Sequence, residues 1–188
     1  MLRAIIGAVT VLAGFGVLER SVDASTGLAA SCAPTQAYAL LQRGATIAVR
    51  SEPTSQAPVI GSLSGRHPRS SDPMGGDPTR SSVTMTGSQG GWARIALDSA
   101  AGFHAGQAPD RAYGWVPADL LTVDARVDGV ITVYDRPGLL GRALATIEGD
   151  DMRFRVLGCR GSWLQVIDAR HGTVWIDRWC AREGGCRS

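Results

Sequence analysis

Lysine and asparagine are both absent from the 188 residues, and aromatic side chains make up only 6% of them. All 19 basic residues are therefore arginine, yet 17 Asp and Glu leave a net charge of +2. That balance excludes the strongly basic patch of a nucleic-acid-binding protein. Missing Lys and Asn beside abundant Arg, Ala and Gly point to genomic codon bias rather than to phosphate-binding chemistry. No C-x-x-C spacing occurs, and His171 is the only histidine near the C-terminal cysteines, so zinc-ligand spacing is lacking and no cofactor is expected. Long apolar runs are scarce as well. The only extended one, Ala4 to Leu18, has fifteen uncharged residues, fewer than the roughly 20 that cross a bilayer.

That run follows Met1-Leu2-Arg3 and precedes Glu19-Arg20, the short cationic start and apolar core of a secretory signal peptide. Small residues suited to cleavage end at Ala24 and again at Ala30. The expected signal peptide is thus 1–24, with cleavage as late as 30, and the mature protein is expected to be periplasmic or extracellular, with no transmembrane segment after cleavage. An uncleaved anchor, or lipidation at Cys32 after Leu28-Ala29-Ala30-Ser31, is the alternative. Export makes disulfides the natural state of Cys32, Cys159, Cys180 and Cys186. Four cysteines allow three pairings that spacing alone does not separate. We expect Cys180 with Cys186, which leaves Cys32 with Cys159.

One pattern is used twice. Gly87-Ser88-Gln89-Gly90-Gly91-Trp92 matches Gly158-Cys159-Arg160-Gly161-Ser162-Trp163, each between alternating runs that read as a hairpin. Upstream, Thr46 to Pro53 corresponds to Val130 to Pro137; downstream, a second tryptophan stands in Gly114-Trp115-Val116 and in Val174-Trp175-Ile176. Trp115 and Trp175 read as core residues of their strands. Pro53 and Trp92 are 39 positions apart but Pro137 and Trp163 only 26, and Trp92 to Trp115 spans 23 against 12 for Trp163 to Trp175. The first copy therefore carries two insertions, at about 65–80 and 99–112, expected as surface loops. Residues 31–44 are expected as a leader, with a brief helical turn at 37–42.

These residues resemble bacterial SH3-like domains, the small partly open β-barrels of exported and cell-envelope proteins. The resemblance is carried by Val49 to Pro53 with Val59 to Leu63, by Gly90 to Ile95, by Gly114 to Leu121, and in the second copy by Gly161 to Val166 and Gly172 to Ile176. It implies an all-β fold of two tandem SH3-like barrels, at 45–124 with long loops and at 127–182, followed by a tail at 183–188. It also implies a shallow binding groove at Trp92, Pro117 and Leu120, and at Trp163 and Asp177 in the second copy, where Asp177 stands in place of Pro117. Flat aromatics suit such grooves because they bring large apolar area with little entropy to lose.

The function expected from this reading is non-catalytic binding in the bacterial cell envelope, of peptidoglycan or of a peptide or protein, without nucleic acid. An adaptor or inhibitor of an envelope enzyme, acting through the loops of the first barrel, is the alternative from another class. A cell-wall hydrolase would need a catalytic domain, and a signal plus two barrels leaves no residues for one. His67, His104 and His171 accompany no nucleophile or metal motif.

Overall fold

Apolar and polar residues alternate along most of the chain, and the computed structural model turns nearly every such run into a strand. The structure describes residues 29–42, 44–65, 79–106, 111–124, 130–147 and 153–179. Their strands are β1 (Ala30–Leu41), β2 (Thr46–Arg50), β3 (Val59–Ser64), β4 (Thr79–Gln89), β5 (Trp92–Ala96), β6 (Phe103–Ala105), β7 (Tyr113–Pro117), β8 (Leu121–Asp124), β9 (Ile131–Tyr134), β10 (Ala143–Ile147), β11 (Arg153–Arg160), β12 (Trp163–Asp168) and β13 (Gly172–Ile176). A single 3-10 turn, Ala118–Leu120, separates β7 from β8. The protein is all-β.

The strands join in one hydrogen-bonded sheet in the order β10-β9-β13-β12-β11-β8-β1-β4-β5-β7-β2-β3-β6. Apart from β6, that order reads the same from either outer edge to the centre. Each half runs from the second strand of its first hairpin, through the first strand and the tryptophan-bearing end strand, to the central hairpin. The register repeats too. Trp115 pairs with Arg50 and Arg94, and Trp175 pairs with Tyr134 and Gln165 at the corresponding places. Both central hairpins slip register at the same point, between Met85 and Gly87 and between Val156 and Gly158.

The two hairpins turn by different glycine chemistry. Gln89 pairs with Trp92, and the two residues between them, Gly90 and Gly91, both have positive φ (54° and 81°), as a two-residue type I′ turn demands. Arg160 pairs with Trp163, and only the first intervening residue, Gly161, has positive φ (56°). That lets Ser162 occupy the second place.

Residues 30–41 depart from expectation. The leader with a helical turn at 37–42 is instead the strand β1, which pairs with β4 at residues 30–31 and 35–41 and, at Tyr38 and Ala39, with β8. Ala37, Tyr38 and Ala39 are all buried, so this stretch faces protein on both sides of the sheet and on both edges. A helical turn there would leave the facing N–H and C=O groups of β4 and β8 without partners. The insertion at 99–112 is likewise not only loop, since its Phe103–Ala105 is strand β6 on the outer edge of β3. The other insertion and the Cys180–Cys186 pairing lie largely or wholly outside the described residues.

One contiguous core serves both halves. Val49, Leu63, Val83, Met85, Ile95 and Val116 of the first half and Ile131, Val133, Phe154, Val156, Leu164 and Val174 of the second belong to one cluster of buried side chains. The partner positions on each strand point outward. Trp115 and Trp175, expected in the core, stand on that outer face, half-buried. Their neighbours Gly114, Val116, Val174 and Ile176 take the inward positions, since adjacent strand residues face opposite ways.

At the β12–β13 turn, Asp168 is 3% exposed and holds the hairpin shut. Its Oδ1 accepts from the backbone N–H of Arg170 (3.0 Å) and His171 (2.8 Å) and lies 2.6 Å from the His171 ring nitrogen Nδ1. Burial alone would raise its pKa, but the hydrogen bonds from the His171 ring and from the two backbone N–H groups outweigh it and hold the carboxyl below its ordinary value. A carboxylate with a depressed folded pKa adds stability above its unfolded pKa, and that stability is lost as pH falls through the folded value. Asp168→Asn should therefore lower unfolding stability at pH 7 by about 1.5–3 kcal/mol. In chemical denaturation the gap from wild type should narrow below about pH 4; a gap independent of pH would refute the role given to the charge.

Candidate functional site: the groove at the junction of the repeats

The central hairpins of the two halves meet across β1 and β8, and the meeting is fixed by specific bonds. The Ser88 hydroxyl accepts the backbone N–H of Cys159 (2.9 Å) and donates to the Cys159 carbonyl (3.1 Å). The start of β1 closes the third side. Ala33 N–H donates to the Gly161 carbonyl (2.8 Å), and Gly161 N–H donates to the Ser31 carbonyl (2.9 Å). Cys32 and Cys159 sit at disulfide distance, with their Cα atoms 5.7 Å apart, inside the range that a bridge requires. Both are buried.

Between these three elements lies a groove of about 580 Å³, bounded by Ala29 to Ser31, by the β4–β5 turn from Ser88 to Gly91, by Leu157 to Arg160 of β11, and by Gln165 and Trp175. Its walls are of mixed character. Trp175 and Leu157 are half-buried apolar surfaces, Gln165 is a half-buried amide, and Arg160 is exposed. The turn Gly90-Gly91 presents backbone without side chains.

The two halves differ at this place. The residue matching Gln165 is Arg94, whose guanidinium donates to the Thr86 hydroxyl (3.1 Å) and carbonyl (3.0 Å) and lies 5.1 Å from the centre of the Tyr113 ring. In the first half this arginine is the ladder partner of Trp115. In the second, Gln165 and Thr173 stand in the places of Arg94 and Tyr113, and Trp175 is half-buried like Trp115.

The sequence-derived candidates fall elsewhere. Trp92 and Pro117 face each other across β5 and β7, and the Gly91 carbonyl accepts from Ala118 N–H (2.8 Å), which ties the 3-10 turn to the hairpin. Leu120 is 46% exposed just beyond. Trp163 stands at the head of β12 with its ring edge-on to Tyr134, centroids 5.0 Å apart and planes at 83°. Asp177 is exposed directly after β13. None of these five lines the groove, although Trp163 shares the outer face of the sheet with Gln165 and its ladder partner Trp175, both two ladder positions away. Ser88, Leu157 and Gln165 were not singled out by sequence. The one legible signal was the match of Gly87-Ser88 to Gly158-Cys159, which the fold brings face to face.

At the junction Cys159 is placed to bond Cys32; elsewhere, the His171 ring bonds Asp168 at the β12–β13 turn, and the His104 ring on the outer strand β6 bonds the Ser64 hydroxyl (2.8 Å). Among the described residues no three His, Cys, Asp or Glu side chains cluster as metal ligands.

The bridge spans 127 positions. Closing so long a loop limits the unfolded chain by as much as about 5 kcal/mol in the chain-entropy view. Replacing both cysteines with serine should thus cost about 2–5 kcal/mol in denaturant melts and should deform the groove wall, whereas an unchanged midpoint would mean that the thiols are not joined. No protein-family model matches this chain, and no curated protein matches it.

Proposed function

We propose that the protein is a non-catalytic binding protein of the bacterial cell envelope. In this reading a signal peptide exports it, and it is built of two SH3-like units that meet edge to edge. The ligand is peptidoglycan or a short peptide. The observation that carries the proposal is the groove at the junction, which combines a flat aromatic wall, a carboxamide, bare backbone and an exposed arginine.

Each part has a physical role. Trp175 offers apolar area with little conformational entropy to lose, suited to the face of a sugar or an aliphatic side chain. Gln165 can donate and accept at once, which suits a peptide amide. The Arg160 guanidinium can engage a carboxylate through two parallel hydrogen bonds, the group that ends or branches a stem peptide. Rigidity comes from the surroundings, because Ser88, Gly161 and the Cys32–Cys159 pair hold the three walls together before any ligand arrives. A binding role also fits the state of Cys159, whose sulfur is directed at Cys32 rather than at the groove as a nucleophile.

The test is co-sedimentation with insoluble peptidoglycan. Wild type should pellet with the polymer, and Trp175→Ala combined with Arg160→Ala should weaken that binding by at least about tenfold while leaving the thermal midpoint nearly unchanged. The pair Trp92→Ala and Trp163→Ala measures the other aromatic surfaces in parallel. Should those two substitutions abolish sedimentation while the groove substitutions leave it intact, the ligand binds at the hairpin tryptophans and the groove reading fails. If wild type does not sediment at all, peptidoglycan is not the ligand.

A further inference from the structure

The two ends of the sheet differ in a way that the repeat makes interpretable. In the first half the outer strand β3 is covered by β6, a three-residue segment supplied by the second insertion. Its register sets Phe103 against Leu63, His104 against Ser62 and Ala105 against Gly61, antiparallel. Ser64 N–H donating to the Gly102 carbonyl (2.9 Å) and Gly106 N–H donating to the Ile60 carbonyl (2.8 Å) extend the ladder at both ends. Under this cover Leu63 is wholly buried.

The matching strand of the second half is β10. Leu63, Ser62 and Gly61 pair with Ile47, Ala48 and Val49, just as Ile147, Thr146 and Ala145 pair with Ile131, Thr132 and Val133. The second half lacks the insertion that supplies β6, because Trp163 to Trp175 is 11 positions shorter than Trp92 to Trp115. Among the described residues β10 ends the sheet with one neighbour, β9. Ile147, unlike Leu63, is only half-buried; Ala145 and Ile147 pack on the rim of the core, and Leu144 is 37% exposed. The turn leading into β10 carries Leu139 and Leu140 at 106% and 81% exposure. β10 itself, Ala-Leu-Ala-Thr-Ile, has neither a charge nor a proline. Those are the usual guards of an edge strand, and an edge without them is a template for pairing.

We propose that the open edge of β10 is a second binding site, distinct from the groove, which takes a short extended segment of a partner protein as an antiparallel strand. The partner segment is uncharged and apolar at alternate positions. Its backbone completes the ladder and its side chains complete the core at Ala145 and Ile147, as β6 does for Gly61 and Leu63. The internal precedent is an isolated segment between loops, so a tail or loop of the partner is enough and no second sheet is needed.

The repeat also sets specificity. A Cβ on Gly61 would stand 2.5 Å from Cε2 of the Phe103 ring and 2.6 Å from the His104 carbonyl oxygen, so β6 approaches β3 more closely than a side chain there allows. At the corresponding place β10 has Ala145, whose methyl group needs that space. An added strand therefore stands farther from β10 than β6 does from β3, and its residue opposite Ile147 is smaller than phenylalanine, with valine the natural fit.

The probe is a capped synthetic peptide of residues Ser99–Gly106 carrying Phe103→Val, titrated into the 15N-labelled protein, with the unchanged sequence and a scrambled peptide alongside. The Phe103→Val peptide should shift the amides of 143–147 saturably and slow their exchange, and the unchanged peptide should bind about tenfold more weakly because of overpacking at Ala145. Ala145→Gly in the protein should reverse that preference. Trp175→Ala should leave both affinities as they were, which separates this site from the groove. Any of four results overturns the proposal: equal binding of the scrambled peptide, shifts confined to other strands, no reversal in Ala145→Gly, or β10 amides already as protected as those of β9 in the free protein. The last would mean that the chain itself or a second copy covers the edge, and sedimentation velocity tells those two apart.

Discussion

The structure depends on one strand being paired on both edges. β1 lies between β4 of the first half and β8, and β8 in turn pairs with β11 of the second half. Each pairing satisfies backbone groups that would otherwise be buried without partners, a cost of about 1–3 kcal/mol for each group. β1 therefore cannot leave without exposing both halves at their shared seam. Tyr38, nearly fully buried on β1, donates its hydroxyl to Asp124 at the end of β8, and Arg153 of β11 lies 3.8 Å from the same carboxylate. The polar contacts at the seam thus join the same three strands that the backbone joins. At the other end of β1, Cys32 and its neighbours hold β11 through Cys159 and Gly161.

This arrangement explains why the groove is at the junction rather than on either half. A small unit of about 60 residues buries too little surface to be firm by itself, and here the two units share one core and one sheet. The two halves also differ where the repeat is imperfect. Gln165 stands where the first half has Arg94, beside the groove. Among the described residues nothing equivalent to β6 lies on the outer edge of β10. Function is read most readily where two otherwise matching halves stop matching, because the better-covered half shows what the other lacks.

Much of the fold was legible in the sequence, and for a definite reason. Strand alternation has a period of two, and residues such as Val83-Thr84-Met85-Thr86 or Leu164-Gln165-Val166-Ile167 show it directly. The glycine turns at Gly90-Gly91 and Gly161 fixed the hairpins, and the matched tryptophans disclosed the repeat. The candidate site was less legible. Trp92, Trp163 and Trp175 each stand on the outer face of a strand, and nothing local tells which of them faces an open groove. Trp175 lines the groove together with Gln165, Leu157 and the Gly90-Gly91 turn, and those residues are neighbours only through pairing and the meeting of the two hairpins.

The sequence by itself determined the class of fold, the duplication and the places of the turns, because these follow from periodicity, glycine conformational freedom and chain-local patterning. Only the tertiary structure decided what residues 30–41 do. Their sequence carries no clear alternation, and at Ala37, Tyr38 and Ala39, where the strand is buried on both faces, none is needed. The junction groove, the approach of Cys32 to Cys159 across 127 positions, and the covered and uncovered edges of β3 and β10 were also decided there. Each is a contact between segments far apart in the chain, and the free energy that selects it arises only when the strands are already side by side.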